Sequence, residues 1–133
     1  MKTEKRLIGD FGERMAARFL RRHGYRIVAR NYRAGHLELD IVAKNRREIV
    51  FVEVKTRSVV SLDDDMPYGP PSAAVNRAKK QNTVDAAYTY LRENPSKLSP
   101  RIDVIEVYLD KGSKKPKVLK INHFTDAVTG RDI

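Results

Sequence analysis

The chain has 133 residues, with 27 Lys and Arg against 17 Asp and Glu, a formal net charge of +10, and neither Cys nor Trp. The missing cysteine excludes a disulfide scaffold, a cysteine nucleophile and thiolate zinc sites, and a chain of this size, 41% hydrophobic and 33% charged, reads as one globular domain spanning 1–133. Its apolar runs are far shorter than the roughly 20 residues of a spanning helix and no signal-peptide core opens it, so the expectation is a cytoplasmic protein with no membrane partner, whose positive potential suits a polyanion, nucleic acid above all.

From about Thr3 to His23, Ile8, Phe11, Met15, Phe19 and Leu20 recur at helical spacing, while Arg14, Arg18, Arg21 and Arg22 lie mostly off that stripe. Gly24 ends the helix, and Tyr25-Arg26-Ile27-Val28 turns to strand composition. Leu37, Leu39, Ile41 and Ala43 then alternate with Glu38 and Asp40, which predicts a strand closed by a turn at Lys44-Asn45-Arg46-Arg47. Glu48 to Thr56 is apolar at both parities, the signature of a central strand.

Arg57 to Pro71 reads as a long loop carrying Asp63-Asp64-Asp65, a run without the spacing of a calcium loop and therefore expected to be solvated. Ser72 suits the cap of a second helix, Ala73 to Glu93, with Val75, Ala78, Val84, Ala87, Tyr88 and Leu91 as its buried stripe. Asn94-Pro95 stops it, after which Arg101 to Leu109 is a strand, Lys111 to Pro116 a basic turn and Lys117 to Ile121 a short edge strand. The order αβββαββ implies an α/β sandwich, a mixed sheet of about five strands with helices on its faces.

Register between the second and third strands decides the chemistry, because a slip of one residue exchanges the faces of a strand. If Leu39, Ile41 and Ala43 share a buried face with Val54, Val52 and Val50, Asp40 falls opposite Glu53 and Glu38 opposite Lys55. Two facing carboxylates repel unless a cation neutralises them. A hard ion such as Mg²⁺, with Mn²⁺ as a substitute, takes a few carboxylate oxygens and keeps positions for water and phosphate, which suits Asp40 and Glu53 as metal ligands. Lys55, on the face of Glu53, is placed to act on an attacking water or on the charge of a phosphoryl transition state. An Asp followed by Glu-x-Lys on the next strand is thus an arrangement for metal-dependent phosphodiester cleavage.

Gly35 to Ala43 with Phe51-Val52-Glu53-Val54-Lys55-Thr56-Arg57 resembles the bacterial YraN family, described as predicted endonucleases distantly related to archaeal Holliday-junction resolvases. The resemblance extends to Gly12-Glu13, Arg30-Asn31-Tyr32-Arg33, Tyr90-Leu91 and Arg101-Ile102-Asp103-Val104. It implies a restriction-endonuclease-like fold in which Asp40, Glu53 and Lys55 match the catalytic triad around Mg²⁺. Glu13 matches an acidic residue of the first helix that approaches the metal in such folds. It also implies DNA as substrate in preference to RNA, branched DNA included, and a homodimer when two strands are cut symmetrically, although no dimer surface is visible in the sequence.

A carboxylate cluster beside a lysine is more often a structural ion-pair network than a catalytic site, and Glu38 has a structural partner available in Arg33 or Lys55. The rival to a nuclease is a non-catalytic nucleic-acid-binding module on the same fold. Arg30, Arg33 and Arg57 around the acidic motif, with Arg77, Lys79 and Lys80 on the second helix, are the candidate phosphate contacts. His23, His36 and His123 are too scattered for a zinc site, and Tyr32, Tyr68 and Tyr90 are core or surface packing by default, with base stacking as the functional alternative.

Overall fold

The fold is that of a computed structural model, which describes residues 3–61 and 77–127, with side chains described from residue 80 in the second block. The run Asp63-Asp64-Asp65, Tyr68, the Ser72 cap and the expected start of the second helix with Val75 lie outside the described residues, as do the side chains of Arg77, Ala78 and Lys79.

Helix α1 runs Glu4–Arg22. The Thr3 hydroxyl accepts the Arg6 N–H at 3.2 Å, and Glu4 in the first turn with Arg21 and Arg22 in the last complement the helix dipole. Its end is a Schellman motif. Tyr25 N–H donates to Leu20 C=O and Gly24 N–H to Arg21 C=O, with Gly24 at φ 89°, where a side chain would be strained.

Strands β1 (Arg26–Ala34), β2 (Leu37–Lys44) and β3 (Glu48–Val59) form an antiparallel meander, α2 (Arg77–Glu93) follows, and β4 (Ser99–Asp110) and β5 (Val118–Phe124) complete a sheet ordered β1-β2-β3-β4-β5. β4 lies parallel to β3 along its whole length, so the sheet is mixed. The α/β class and the αβββαββ order match the expectation and are compatible with the restriction-endonuclease-like fold. β1 is longer than its composition suggested and carries a register shift between Ile27 and Ala29, with Asn31 at φ 54°. β3 continues to Val59, so Arg57 is a strand residue rather than part of a loop.

The two helices cover opposite faces. Ala16, Ala17 and Leu20 of α1 pack on Ile41, Ala43, Val50, Val52, Ile105 and Val107, while Ala86, Ala87 and Tyr90 of α2 pack on Leu39, Val42, Ile49 and Phe51. Phe51 is fully buried, worth about 3 kcal/mol of apolar transfer. The α2 stripe corrects one expectation: Tyr88 is 64% exposed and Tyr90 takes the core position, against Tyr32 and Phe51.

The hairpin register is the one inferred from patterning, with Ile41↔Val52, Val42↔Phe51, Ala43↔Val50 and Lys44↔Ile49 in register. The ladder stops there. Leu37 and Leu39 pack toward α2, whereas Ile41 and Ala43 pack toward α1, so the uniform apolar face expected of β2 is broken at Asp40. Glu38 therefore stands opposite Arg33 of β1 rather than opposite Lys55.

Candidate functional site

Where β2 leaves β3, the Asp40 carboxylate replaces the next rung of the ladder by accepting the Val54 N–H at 2.8 Å. That places a carboxylate in the fork between the strands. An open cleft of about 550 Å³ reaches it, walled by α1 from Glu4 to Glu13 and by Asp40, Glu53, Val54, Thr56 and Ser58.

Close approach of the helix builds this cleft. A Cβ on Gly12 would sit 1.8 Å from Thr56 Oγ1, so only glycine lets α1 come this near β3. The next residue, Glu13, is thereby brought to the cleft wall, and its Oε1 is buried without a hydrogen-bond partner.

The acids act on one another's ionisation. Burial first, and the Glu53 charge second, push the Asp40 carboxyl up to about 8, and Glu13 and Glu38 add to the effect. Glu13 is also raised, chiefly by burial, against the opposing field of Arg30. Glu53 is itself buried, and Lys55 Nζ stands 3.3 Å from Glu53 Oε1. Lys55 does not line the cleft; it reaches the site through Glu53.

Glu13, Asp40 and Glu53 thus meet at one cleft, with Lys55 held against Glu53. The fit to a cation follows from the donor set: clustered hard carboxylates, one holding a buried oxygen with no donor, in a cleft open to solvent. Among the described residues no group of three or more His, Asp or Glu side chains is placed to hold a metal ion. Such a donor set suits an ion that takes one or two carboxylates and fills its shell with water and phosphate oxygen, as Mg²⁺ does.

The candidate phosphate contacts divide. Arg30 is exposed and acts on Glu13, and Arg33 is exposed beside Glu38. Arg57 is turned into the protein, its Nε donating to the buried Glu106 carboxylate at 3.2 Å, while Tyr108 donates to the other Glu106 oxygen at 3.0 Å. Lys80 is half-buried on α2.

A second buried polar cluster was not anticipated from the sequence. Asp103 is fully buried and accepts from Arg101 Nε and Nη2, from the Asp126 N–H and from the His123 ring at 2.7 Å. Arg101 also donates to Glu48 and to the Tyr25 hydroxyl. Burial alone would raise the Asp103 carboxyl, but hydrogen bonds from His123 and Arg101 hold it below the ordinary range. The available signal was Asp103 and Glu106 standing within an otherwise apolar central strand.

The sequence profile described as Uncharacterised protein family UPF0102 matches residues 12–107. A UPF0102 protein of Caldanaerobacter subterraneus is 39% identical over 127 residues, covering 95% of this chain and 98% of the relative. One from Chlorobium phaeobacteroides is 40% identical over 96% of this chain and 97% of its own, and one from Bacteroides thetaiotaomicron 38% identical over 94% of both. Among solved structures, that of Pyrococcus furiosus SfsA in complex with Ca²⁺ is similar over 88% of this chain and 63% of that one, at 18% identity and a TM-score of 0.41. Among the described residues no helix is long and apolar enough to cross a membrane.

Proposed function

The chain belongs to the uncharacterised protein family UPF0102, and from the acidic cleft at its β2/β3 fork we propose that it is a metal-dependent endonuclease-like protein hydrolysing phosphodiester bonds in DNA, branched DNA included. The observation that carries this reading is the gathering of Glu53 and Glu13 about Asp40 at one cleft, with Glu13 Oε1 buried and unpartnered. Repelling carboxylates facing a solvent cleft serve no packing purpose, whereas a cation makes them a phosphate-binding surface.

Asp40 and Glu53 are the residues that would hold the ion, and Glu13 would accept from water bound beside it. When bound, Mg²⁺, or Mn²⁺ in its place, supplies a positive charge for the phosphate and lowers the pKa of a bound water. The Val54 N–H fixes the Asp40 carboxylate, and so orients the oxygen turned to the cleft. Lys55 holds its ammonium against Glu53, from where it orients the attacking water and offsets charge that grows on the phosphoryl oxygens. Arg30 and Arg33, exposed along β1, supply backbone contacts beside the acids.

The test is a Mg²⁺-dependent cleavage panel of duplex, flap, four-way junction and RNA substrates. Metal-dependent scission of a DNA substrate that is lost in Asp40→Asn is expected. Salt-sensitive DNA binding with no cleavage of any substrate would replace this reading by a non-catalytic binding module.

A further inference from the structure

We propose that the lysine-rich turn between β4 and β5 is a second nucleic-acid contact, one that grips the arm of a duplex some distance beyond the acids of the cleft. The inference rests on the reading of the cleft given above and extends it to a separate surface.

Lys111, Lys114, Lys115 and Lys117 are all exposed. None of them has an ion-pair partner among the described residues. The turn's own polar groups are used internally. Asp110 Oδ1 accepts the Gly112 N–H at 3.0 Å, Ser113 Oγ donates to the Lys115 carbonyl at 2.6 Å, and Asp110 N–H donates to the Lys117 carbonyl at 2.9 Å. The backbone thus holds its shape without help from the lysines, and the Asp110 carboxylate is engaged by the turn. Four ammonium groups within seven residues repel one another, and that repulsion is relieved by a multivalent anion.

Topology says where such an anion would run. Lys111 N–H donates to the Val59 carbonyl, and Val59 stands in register with Asp110, so the turn sits at the C-terminal end of β3. Ser58 at that same end is part of the cleft wall. Glu53 to Val59 is six steps along an extended strand, about 20 Å at roughly 3.3 Å per residue. Base pairs rise about 3.4 Å each, so a duplex arm lying along β3 bridges the cleft and the lysines with about six base pairs. Lysines grip backbone phosphates as hydrated point charges and read no sequence, which suits an arm held for position alone.

The experiment measures binding of the full chain without metal to duplexes graded from about 6 to about 20 base pairs, over a salt series. Affinity and salt slope should rise with length and then level off. In the triple variant Lys114→Gln/Lys115→Gln/Lys117→Gln the plateau should arrive about six base pairs earlier, with the slope smaller by about three. Binding of the shortest duplexes should be unchanged. A triple variant with the wild-type plateau and slope overturns the proposal while the cleft reading stands. Wild-type protein that binds no duplex of any length, yet binds phosphatidylglycerol vesicles through these lysines, overturns both and makes the turn a membrane contact.

Discussion

The 2.8 Å hydrogen bond from the Val54 N–H to Asp40 Oδ2 stands where the β2–β3 ladder would have continued, so one side chain both ends the strand pairing and supplies the cleft with a carboxylate. An Asp40→Ala change would leave that N–H unsatisfied as well as removing a charge. Asparagine retains an acceptor and is the cleaner probe.

The first prediction concerns pH. Asp40 ionises near 8 in the folded protein against 3.8 ordinarily, because burial and Glu53 disfavour its charge. Between those values the unfolded chain has lost a proton that the folded one keeps. Stability without metal should therefore fall as pH rises from about 4 to 8, by at most about 1.4 kcal/mol per pH unit from this group, and level off above. Urea midpoints in EDTA should show this slope in wild type and a shallower one in Asp40→Asn.

Divalent metal should reverse that decline, since an ion that binds only the folded state stabilises it by mass action. Calorimetry should find Mg²⁺ or Mn²⁺ affinity lowered at least tenfold in Asp40→Asn and Glu53→Gln, and by less in Glu13→Gln, whose contact runs through water. Wild-type affinity in the first two variants removes them from the metal.

Lys55 separates chemistry from binding. Lys55→Ala should abolish single-turnover cleavage while DNA affinity stays within about tenfold, or about 1.4 kcal/mol. An equal loss in both would make Lys55 a phosphate contact only.

Gly12→Ala should move α1 off β3, because the added methyl clashes with Thr56 Oγ1 and also approaches its Cβ and Cγ2 to 2.9 Å, so rotating the hydroxyl away does not relieve it. The expected loss is about 1 to 3 kcal/mol, with weaker metal binding as Glu13 withdraws. Thr56→Ala in the same chain should restore part of both, and thermal melts beside metal titrations read the two effects.

Removing Asp103 should be structural. Asp103→Ala leaves Arg101 without its principal partner in a half-buried position and is expected to cost about 3 to 5 kcal/mol, with the cleft's chemistry unchanged in the protein that remains folded. Chemical denaturation at neutral pH checks it.

The hairpin register was legible in the sequence because alternating apolar residues leave only one pairing that buries Ile41 and Ala43 with Val52 and Val50. That pairing brings Asp40 to the side of Glu53 and Val54, where it accepts the Val54 N–H instead of forming a rung opposite Glu53. Legibility stopped at Asp40, since the same alternation implies that Leu39 shares the face of Ile41. A side chain that caps a backbone N–H lets the strand diverge, and no periodicity announces such a cap. The Asp103 and Glu106 clusters were hidden for a related reason: Tyr25, His123 and Arg57 join them from distant segments, and only the sheet order brings these residues together.

The parallel pairing of β3 with β4 joins residues about 50 positions apart, such as Val50 and Arg101, whereas β1 through β3 closes by short hairpins. Contacts that close long loops form late, because their entropy must be overcome before they gain anything. Asp40 and Glu53 belong to the early, hairpin-closed part of the chain, and the lysine turn to the late half. During synthesis the acidic fork can therefore assemble while the edge of β3 from Val50 to Val54 is still waiting for its partner strand. That uncovered apolar edge is the stage at which the growing chain is most exposed to wrong association, and the emergence of β4 ends it.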